Sequence, residues 1–89
     1  MLIDQDKLFQ FPCDFPVKIM GRAHPDFQDQ VVAIVGNHVT NIPEHAISST
    51  HSATGKYISI TVTITATSRQ QLDDIYGDLS ACEAVLMSL

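Results

Sequence analysis

Apolar and hydroxyl side chains alternate strictly in "KYISITVTITAT", residues 56–67. The apolar positions share one parity: Ile58, Ile60, Val62, Ile64 and Ala66. The hydroxyl positions share the other: Ser59, Thr61, Thr63 and Thr65. A period of two is typical of a strand with one face on a hydrophobic core, and β-branched residues favour the extended backbone. The pattern therefore predicts a strand whose hydroxyl face is left open.

The alternation ends at "TSRQQ", where a helix is predicted to begin. Ser68 and Gln71 have the spacing of a capping box, in which two side chains bond backbone N–H groups at the helix start. Four apolar residues follow at spacings of three and four, as on one face of a helix: Leu72, Ile75, Tyr76 and Leu79. Gly77 is expected at the surface of this helix, at a cost of about 1 kcal/mol relative to Ala.

The first half of the chain repeats the same plan. "FPVKIMGR", residues 15–22, predicts a strand, and Pro25 suits the first turn of a helix that follows it. The apolar face of that helix is formed by four residues: Phe27, Val31, Ile34 and Val35. A strand followed by a helix is thus predicted twice.

Two further strands complete the pattern. "HAISSTHS", residues 45–52, predicts a weaker strand, and "SATGK" with Gly55 predicts the hairpin to the next strand. "EAVLMSL", residues 83–89, predicts a short final strand. The order βαββαβ, with right-handed crossovers, predicts an α+β ferredoxin-like two-layer sandwich. Its antiparallel sheet is expected in the order 4-1-3-2, with both helices on one face.

Chain length and composition predict one packed domain. The chain has 89 residues, of which 45% are hydrophobic and 17% charged, and a disordered chain would be less apolar and more charged. We expect a single domain over residues 11–89 and a loosely held arm over residues 1–10, anchored by Phe9 and Phe11. Cys13 and Cys82 form no CxxC pair and are expected as thiols.

Charge and hydropathy bear on the class of partner. The net charge of -5 disfavours binding to nucleic acid and anionic membranes. The open face of the Tyr57 strand would also show hydroxyls where RNA-binding sheets carry stacking aromatics. "MLIDQDKLFQF" lacks the basic flank of a signal peptide, and no stretch approaches about 18 apolar residues. The sequence therefore predicts a cytoplasmic protein with no nucleic-acid or membrane partner.

The sequence contains no strong catalytic or cofactor-binding motif. The P-loop, GxSxG, GxGxxG and HExxH patterns are all missing. His45 and His51 fall on one face of the second predicted strand, but six residues of strand separate them by about 20 Å, too far for one metal ion. We therefore predict a protein that is not an enzyme and has no cofactor and no metal site.

One segment, "MGRAHPDFQDQVV", is a candidate ligand site because a strand meets a helix there. Gly21 would let a ligand approach the backbone, Arg22 would pair with a carboxylate or phosphate, and His24 lies beside them. Asp26 and Asp29 disfavour an additional negative charge at this helix start. The alternative is ordinary strand-to-helix punctuation by Gly and Pro.

Four segments together resemble the YbeD-like (UPF0250) family of small bacterial proteins: "FPCDFPVKIMG", "DQVVAIV", "YISITVTITAT" and "VLMSL". The resemblance extends from Leu8 to Leu89. It implies a domain similar to the amino-acid-binding ACT domains that regulate metabolic enzymes, and it implies a link to lipoate metabolism. A ligand site near Gly21 follows from the ACT likeness. The family supplies no catalytic residue.

Two functions from different classes therefore remain. The first is a regulatory or protein-interaction module that contacts a metabolic enzyme or a second copy. The final strand is its expected interface: Val85, Leu86 and Met87 would lie on an edge without charge or proline, and Val85 and Met87 would share a face opposite to Leu86. The second is an ACT-like sensor of amino acids or carboxylates, and an acylphosphatase-like hydrolase that uses Arg22 is a third alternative.

Overall fold

The structure is a computed structural model that describes residues 10–89. Its strands are β1 (Cys13–Arg22), β2 (Ile47–His51), β3 (Tyr57–Ala66) and β4 (Val85–Ser88), and its helices are α1 (Phe27–Gly36) and α2 (Arg69–Ala81). The arm expected at the N-terminus, with Phe9, lies outside the described residues except for Gln10. Phe11 is half-buried and packs against the hydrophobic core.

The four strands form one antiparallel sheet in the order β2-β3-β1-β4. This is the expected order 4-1-3-2 seen from the other edge, so the ferredoxin-like prediction is confirmed. The central ladder joins β1 and β3 over ten residue pairs, from Cys13 opposite Ala66 to Arg22 opposite Tyr57. Its register places Val17 and Ile19 on the helix side, opposite the buried Val62 and Ile60.

The core lies between the sheet and the helices, on the face that the alternation predicts. The sheet contributes seven buried side chains: Val17, Ile19, Ile58, Ile60, Val62, Ile64 and Ala66. The helices contribute six: Phe27, Val31, Val35, Leu72, Ile75 and Leu79. Burying each of these side chains other than Ala66 stabilises the fold by about 1.5 to 3 kcal/mol. The predicted helix faces are confirmed, with Ile34 and Tyr76 half-buried at their margins.

Helix α1 begins later than the sequence predicts. Pro25 lies in a turn rather than in the first helical turn, and Asp26 is the N-cap residue. The turn is closed by His24, whose carbonyl oxygen accepts a hydrogen bond from the N–H of Phe27 at 3.0 Å. The Nδ1 atom of His24 accepts another from the N–H of Asp26 at 3.1 Å. These two bonds hold residues 24–27 in a turn, and the placement of Pro25 in the helix was wrong.

Helix α2 begins with the predicted cap in a modified form. Ser68 Oγ accepts a hydrogen bond from the N–H of Gln71 at 3.1 Å. The side chain of Gln71 does not return to Ser68: its Oε1 accepts from the N–H of Thr67 at 2.7 Å, and its Nε2 donates to the carbonyl of His38 at 2.9 Å. Gln71 therefore ties the start of α2 to the loop that follows α1.

Strand β2 is shorter than expected. His45 lies in a 3₁₀ turn, Glu44–Ala46, while His51 is the last residue of β2. The N–H of Ala46 donates to the carbonyl of Pro43 at 2.9 Å, which closes this turn before the strand can begin. The placement of His45 and His51 on one strand face was therefore wrong.

Strand β4 contains a bulge that changes the expected orientation of its side chains. Met87 pairs with Met20 and Val85 pairs with Gly21, so Leu86 is an extra residue without a partner on β1. An extra residue in one strand breaks the alternation of faces. Val85 therefore lies on the helix side with Gly21, and Met87 lies on the open side with Met20. The expectation that Val85 and Met87 share a face was wrong.

Candidate functional site

A cavity of about 290 Å³ lies where β1 meets α1, beside the loop that leads into β4. Its walls are formed by seven residues: Arg22, His24, Phe27, Gln30, Glu83, Ala84 and Leu86. It unites two of the three predicted ligand residues, Arg22 and His24, with Leu86 from the predicted interface. Its size is just below the usual range for small-molecule sites, about 300–1,000 Å³. We call it the junction cavity.

Gly21, the third predicted ligand residue, is buried beneath the cavity and is not among its lining residues. A Cβ atom built on Gly21 would come within 2.4 Å of the Phe27 ring and 2.6 Å of the Ala84 carbonyl oxygen. The missing side chain therefore allows α1 and the loop before β4 to pack closely against β1. The space left by the missing side chain is therefore occupied by the Phe27 ring and the Ala84 backbone.

The polar side chains of the junction cavity have complementary charges. Arg22 and Glu83 are exposed and line the same opening, which has an apolar wall of Phe27, Ala84 and Leu86. A guanidinium pairs well with a carboxylate, and a carboxylate pairs with an ammonium group. The lining of the junction cavity therefore combines a cation, a carboxylate and an apolar wall.

His24 separates the junction cavity from a second cavity of about 380 Å³, which Ser49 and His51 also line. His24 Nδ1 lies 3.9 Å from an Asp26 carboxylate oxygen, and both side chains are largely exposed. Within residues 10–89, no group of three His, Cys, Asp or Glu side chains is placed to hold a metal ion. His24 has a clear local role as acceptor for the turn.

A third cavity, of about 390 Å³, lies at the opposite end of the molecule, where the loop after α1 meets the start of α2. His38 and Gln71 line it, and the Nε2 atom of His38 lies 2.6 Å from a carboxylate oxygen of Asp78. With the bond from Gln71 to the His38 carbonyl, this contact ties the two helices together. These polar groups are therefore engaged within the fold.

The open face of the sheet carries an apolar patch that the sequence reasoning missed. Met20 and Met87 are directly opposite one another, and Leu89 exchanges two backbone hydrogen bonds with Lys18. Met20, Met87 and Leu89 are 38%, 51% and 69% exposed, and we call these three residues the methionine patch. The available signal was Met20 itself, an apolar residue at the polar parity of β1 between Lys18 and Arg22.

The end of β4 is held to helix α2 through a side chain. Tyr76 donates its hydroxyl hydrogen to the carbonyl oxygen of Leu89 over 2.7 Å. Burial raises the pKa of Tyr76 above its ordinary value, so the hydroxyl keeps the proton that it donates. The position of the methionine patch is thereby coupled to the helix layer.

No helix described between residues 10 and 89 has the length and apolar character needed to cross a bilayer.

Solved structures with this fold include an ACT domain. The ACT domain from the GTP pyrophosphokinase of Chlorobium tepidum superposes with a TM-score of 0.66 at 17% identity, covering 85% of this chain and 84% of that one. Protein HP0495 from H. pylori superposes with a TM-score of 0.70 at 13% identity, covering 91% and 85%. At these identities the likeness shows a shared fold.

Sequence comparison gives the family. The family described as "Protein of unknown function (DUF493)" matches residues 6–89. A UPF0250 protein of Chromobacterium violaceum is 42% identical over 86 residues, covering 97% of each chain. One from Paraburkholderia phytofirmans is 45% identical over 75 residues and 84% of each chain, and one from Shewanella woodyi is 42% identical over 80 residues, covering 90% and 89%. With its ACT-like fold, the chain belongs to the DUF493, or UPF0250, family of bacterial proteins.

Proposed function

We propose that this protein is a non-enzymatic regulatory or protein-interaction module of the bacterial cytoplasm. It contacts a second copy or a metabolic enzyme through β4 and the open face beside it. The observation that carries this proposal is the edge strand β4, on which Leu86 and Met87 are 53% and 51% exposed without a protecting charge or proline. Because the resemblance implies a link to lipoate metabolism, the enzymes of that pathway are the first partners to test.

The other sheet edges are better protected than β4. Lys18 and Leu89 exchange backbone hydrogen bonds of 3.1 and 2.7 Å, so alternate residues of β1 direct their backbone groups towards the β4 side. Pro16 is the next such residue, and it has no N–H to offer beyond the end of β4. The β2 edge is polar over Ser48–His51. Strand β4 is therefore the apolar edge at which another strand can be added.

Self-association through β4 is tested by light scattering of the purified full chain. Leu86→Lys places a charge in the bulge at the edge, and Ser80→Lys adds the same charge on the exposed surface of α2 as a control. We expect a dimer for the parent and for Ser80→Lys, and a monomer for Leu86→Lys. A parent that remains monomeric at millimolar concentration would remove the second copy from the proposal and leave the enzyme partner.

The non-enzymatic part of the proposal is supported by the setting of Arg22 and His24. Both side chains are exposed, whereas catalytic groups are usually tuned by burial or by a close charge partner. The alternative on the same fold is an acylphosphatase-like hydrolase. We expect the full chain to release phosphate from acetyl phosphate no faster than buffer does. Hydrolysis that disappears in Arg22→Ala would establish an enzyme instead.

The junction cavity favours a second candidate function, the sensing of a small amino acid or carboxylate. Arg22 would bind the carboxylate, Glu83 the ammonium group, and the wall of Phe27 and Leu86 an apolar side chain. A thermal-shift screen with the twenty amino acids, lipoate and octanoate tests this candidate. A ligand at 100 times its Kd adds about 2.7 kcal/mol to the free energy of unfolding. This corresponds to a rise in Tm of roughly 10–20 °C for a domain of this size.

Two variants make the screen specific. We expect Arg22→Ala to abolish the shift, because the carboxylate loses its partner, and Arg69→Ala on α2 to retain it. The absence of a shift with every compound would eliminate the sensing function. A shift that survives Arg22→Ala would place the ligand elsewhere.

A further inference from the structure

The open face of the sheet is divided into two halves of different chemistry. On β2 and β3 it carries hydroxyl side chains: Ser48, Thr50, Ser59, Thr61, Thr63 and Thr65. On β1 and β4 it carries the methionine patch, whose members surround a shallow cavity of about 90 Å³. That volume equals about three water molecules at roughly 30 Å³ each. It suits one aliphatic side chain of a partner.

Two cations flank the methionine patch on the same strand. Lys18, Met20 and Arg22 share the open face because they alternate with the buried residues of β1. Four residues of strand separate Lys18 from Arg22, or about 13 Å. The acidic side chain of the open face, Asp14, lies six residues from Met20, about 20 Å away. Lys18 lines the cavity of the patch itself and gives it a positive charge, whereas Arg22 also lines the junction cavity, together with Glu83.

The helix layer has the opposite charge. Its acidic residues are Asp26, Asp29, Asp73, Asp74 and Asp78. Its basic residue is Arg69, at the start of α2. In a chain with a net charge of -5, a positive apolar patch on the open face contrasts with the rest of the surface.

From this contrast we infer that the methionine patch, with Lys18 and Arg22, is the docking surface for an acidic partner protein whose contact segment carries an apolar side chain between carboxylates. The aliphatic side chain fills the cavity beside Met20 and Met87, and the carboxylates pair with the two cations. The inference deepens the proposed function, on which it rests, by naming the chemistry of the partner.

A second copy of this chain does not suit the same surface. A two-fold axis at Met20 would bring each patch onto its own copy, because symmetric dimers use the same surface on both subunits. Lys18 and Arg22 would then face the same cations of the copy, and like charges in an interface oppose association. The outer edge of β4, around Leu86, is the place for self-association, and the open face remains for a different protein.

Selection from a phage-displayed library of random 15-residue peptides tests this inference directly. The bait is the full chain, and an enriched peptide is then titrated by fluorescence anisotropy. We expect enriched peptides to combine acidic residues with a central Leu, Ile, Val or Met. Met20→Glu should weaken binding at least about tenfold, as removal of a central interface residue does. Lys18→Glu should weaken it about fivefold and reduce its salt dependence.

Thr63→Glu is the matched control, because it adds the same charge to the hydroxyl half of the same face. It should change the Kd by less than about twofold. All four proteins are first compared by circular dichroism and thermal unfolding, and Met87→Glu replaces Met20→Glu if the latter is unfolded. Failure to enrich peptides, enrichment of basic peptides, or equal effects of Met20→Glu and Thr63→Glu would overturn the inference.

Failure of this inference is distinguishable from failure of the proposed function. A metabolic enzyme that binds Met20→Glu as tightly as the parent would leave the interaction module intact and overturn the docking surface. If the parent is a dimer and Met20→Glu is a monomer, a second copy covers the patch. That result would also leave the interaction module intact and overturn the docking surface. If the parent showed no self-association, no enzyme binding and no peptide binding, both the proposed function and the docking surface would be overturned.

Discussion

Replacing Gly21 with Ala tests whether this glycine serves packing or ligand access. Its Cβ would lie 2.4 Å from two carbons of the Phe27 ring and 2.6 Å from the carbonyl oxygen of Ala84. Phe27 is 1% exposed and cannot rotate away without disturbing the core. Forcing one methyl group into a packed core costs about 1–3 kcal/mol. We expect the upper end, about 3 kcal/mol, because the clash involves backbone as well as a buried ring.

Gly77 provides the matched control. A Cβ built on Gly77 meets nothing within 4 Å, and the residue lies inside α2. Because Ala is favoured over Gly in a helix, Gly77→Ala should stabilise the protein by about 0.5–1 kcal/mol. The same chemical change is therefore expected to have opposite effects at the two sites.

Urea unfolding at 25 °C, followed by circular dichroism, measures both effects. The double variant Gly21→Ala/Phe27→Leu should be less destabilised than the sum of its single variants, by at least about 1 kcal/mol, because the smaller side chain relieves part of the clash. A Gly21→Ala protein within about 0.5 kcal/mol of the parent would refute the packing role.

Three further changes concern a cap, a turn and the C-terminal strand. Ser68→Ala removes the acceptor for the Gln71 N–H and should cost about 1 kcal/mol in urea unfolding. Gly55→Ala should cost about 1 kcal/mol by the same assay, since Gly55 has a φ of 75° that Ala adopts with strain. Tyr76→Phe should cost about 1 kcal/mol at neutral pH, because the hydrogen bond to Leu89 is lost. Since burial raises the pKa of Tyr76 in the folded state, its contribution is complete below about pH 10 and lost as pH rises through the folded pKa. As pH rises above about 10, the free energy of unfolding should therefore fall less steeply for Tyr76→Phe than for the parent. Equal slopes would contradict the burial effect.

The sequence predicts the fold well because its strongest signals arise from burial. The alternation along β3 and the spacing of Leu72, Ile75 and Leu79 reflect which side chains face the core, and the element order with right-handed crossovers gives the sheet order. Ends of elements depend on single hydrogen bonds, which periodicity does not report. This is why the start of α1, set by His24, and the start of β2, set by the turn at Glu44–Ala46, were misplaced.

The candidate site was predicted in part. Arg22 and His24 lie together in the junction cavity, as their closeness in sequence suggests, but Glu83 and Leu86 come from the other end of the chain. The bulge at Leu86 places Met87 on the face opposite to Val85. No local sequence pattern predicts this bulge. The methionine patch therefore depends on a register that only the assembled sheet shows.

Site-specific photo-cross-linking in living cells tests the central claim, that the open face beside β4 binds a protein partner. Benzoylphenylalanine replaces Met20 in one variant and Thr63 in the other, so that the probe samples the two halves of the same face. We predict a specific adduct with an acidic protein from the Met20 position and none from the Thr63 position. Equal adducts from both positions, or no adduct at Met20, would contradict the claim, and an adduct with a second copy of this chain would overturn the acidic partner.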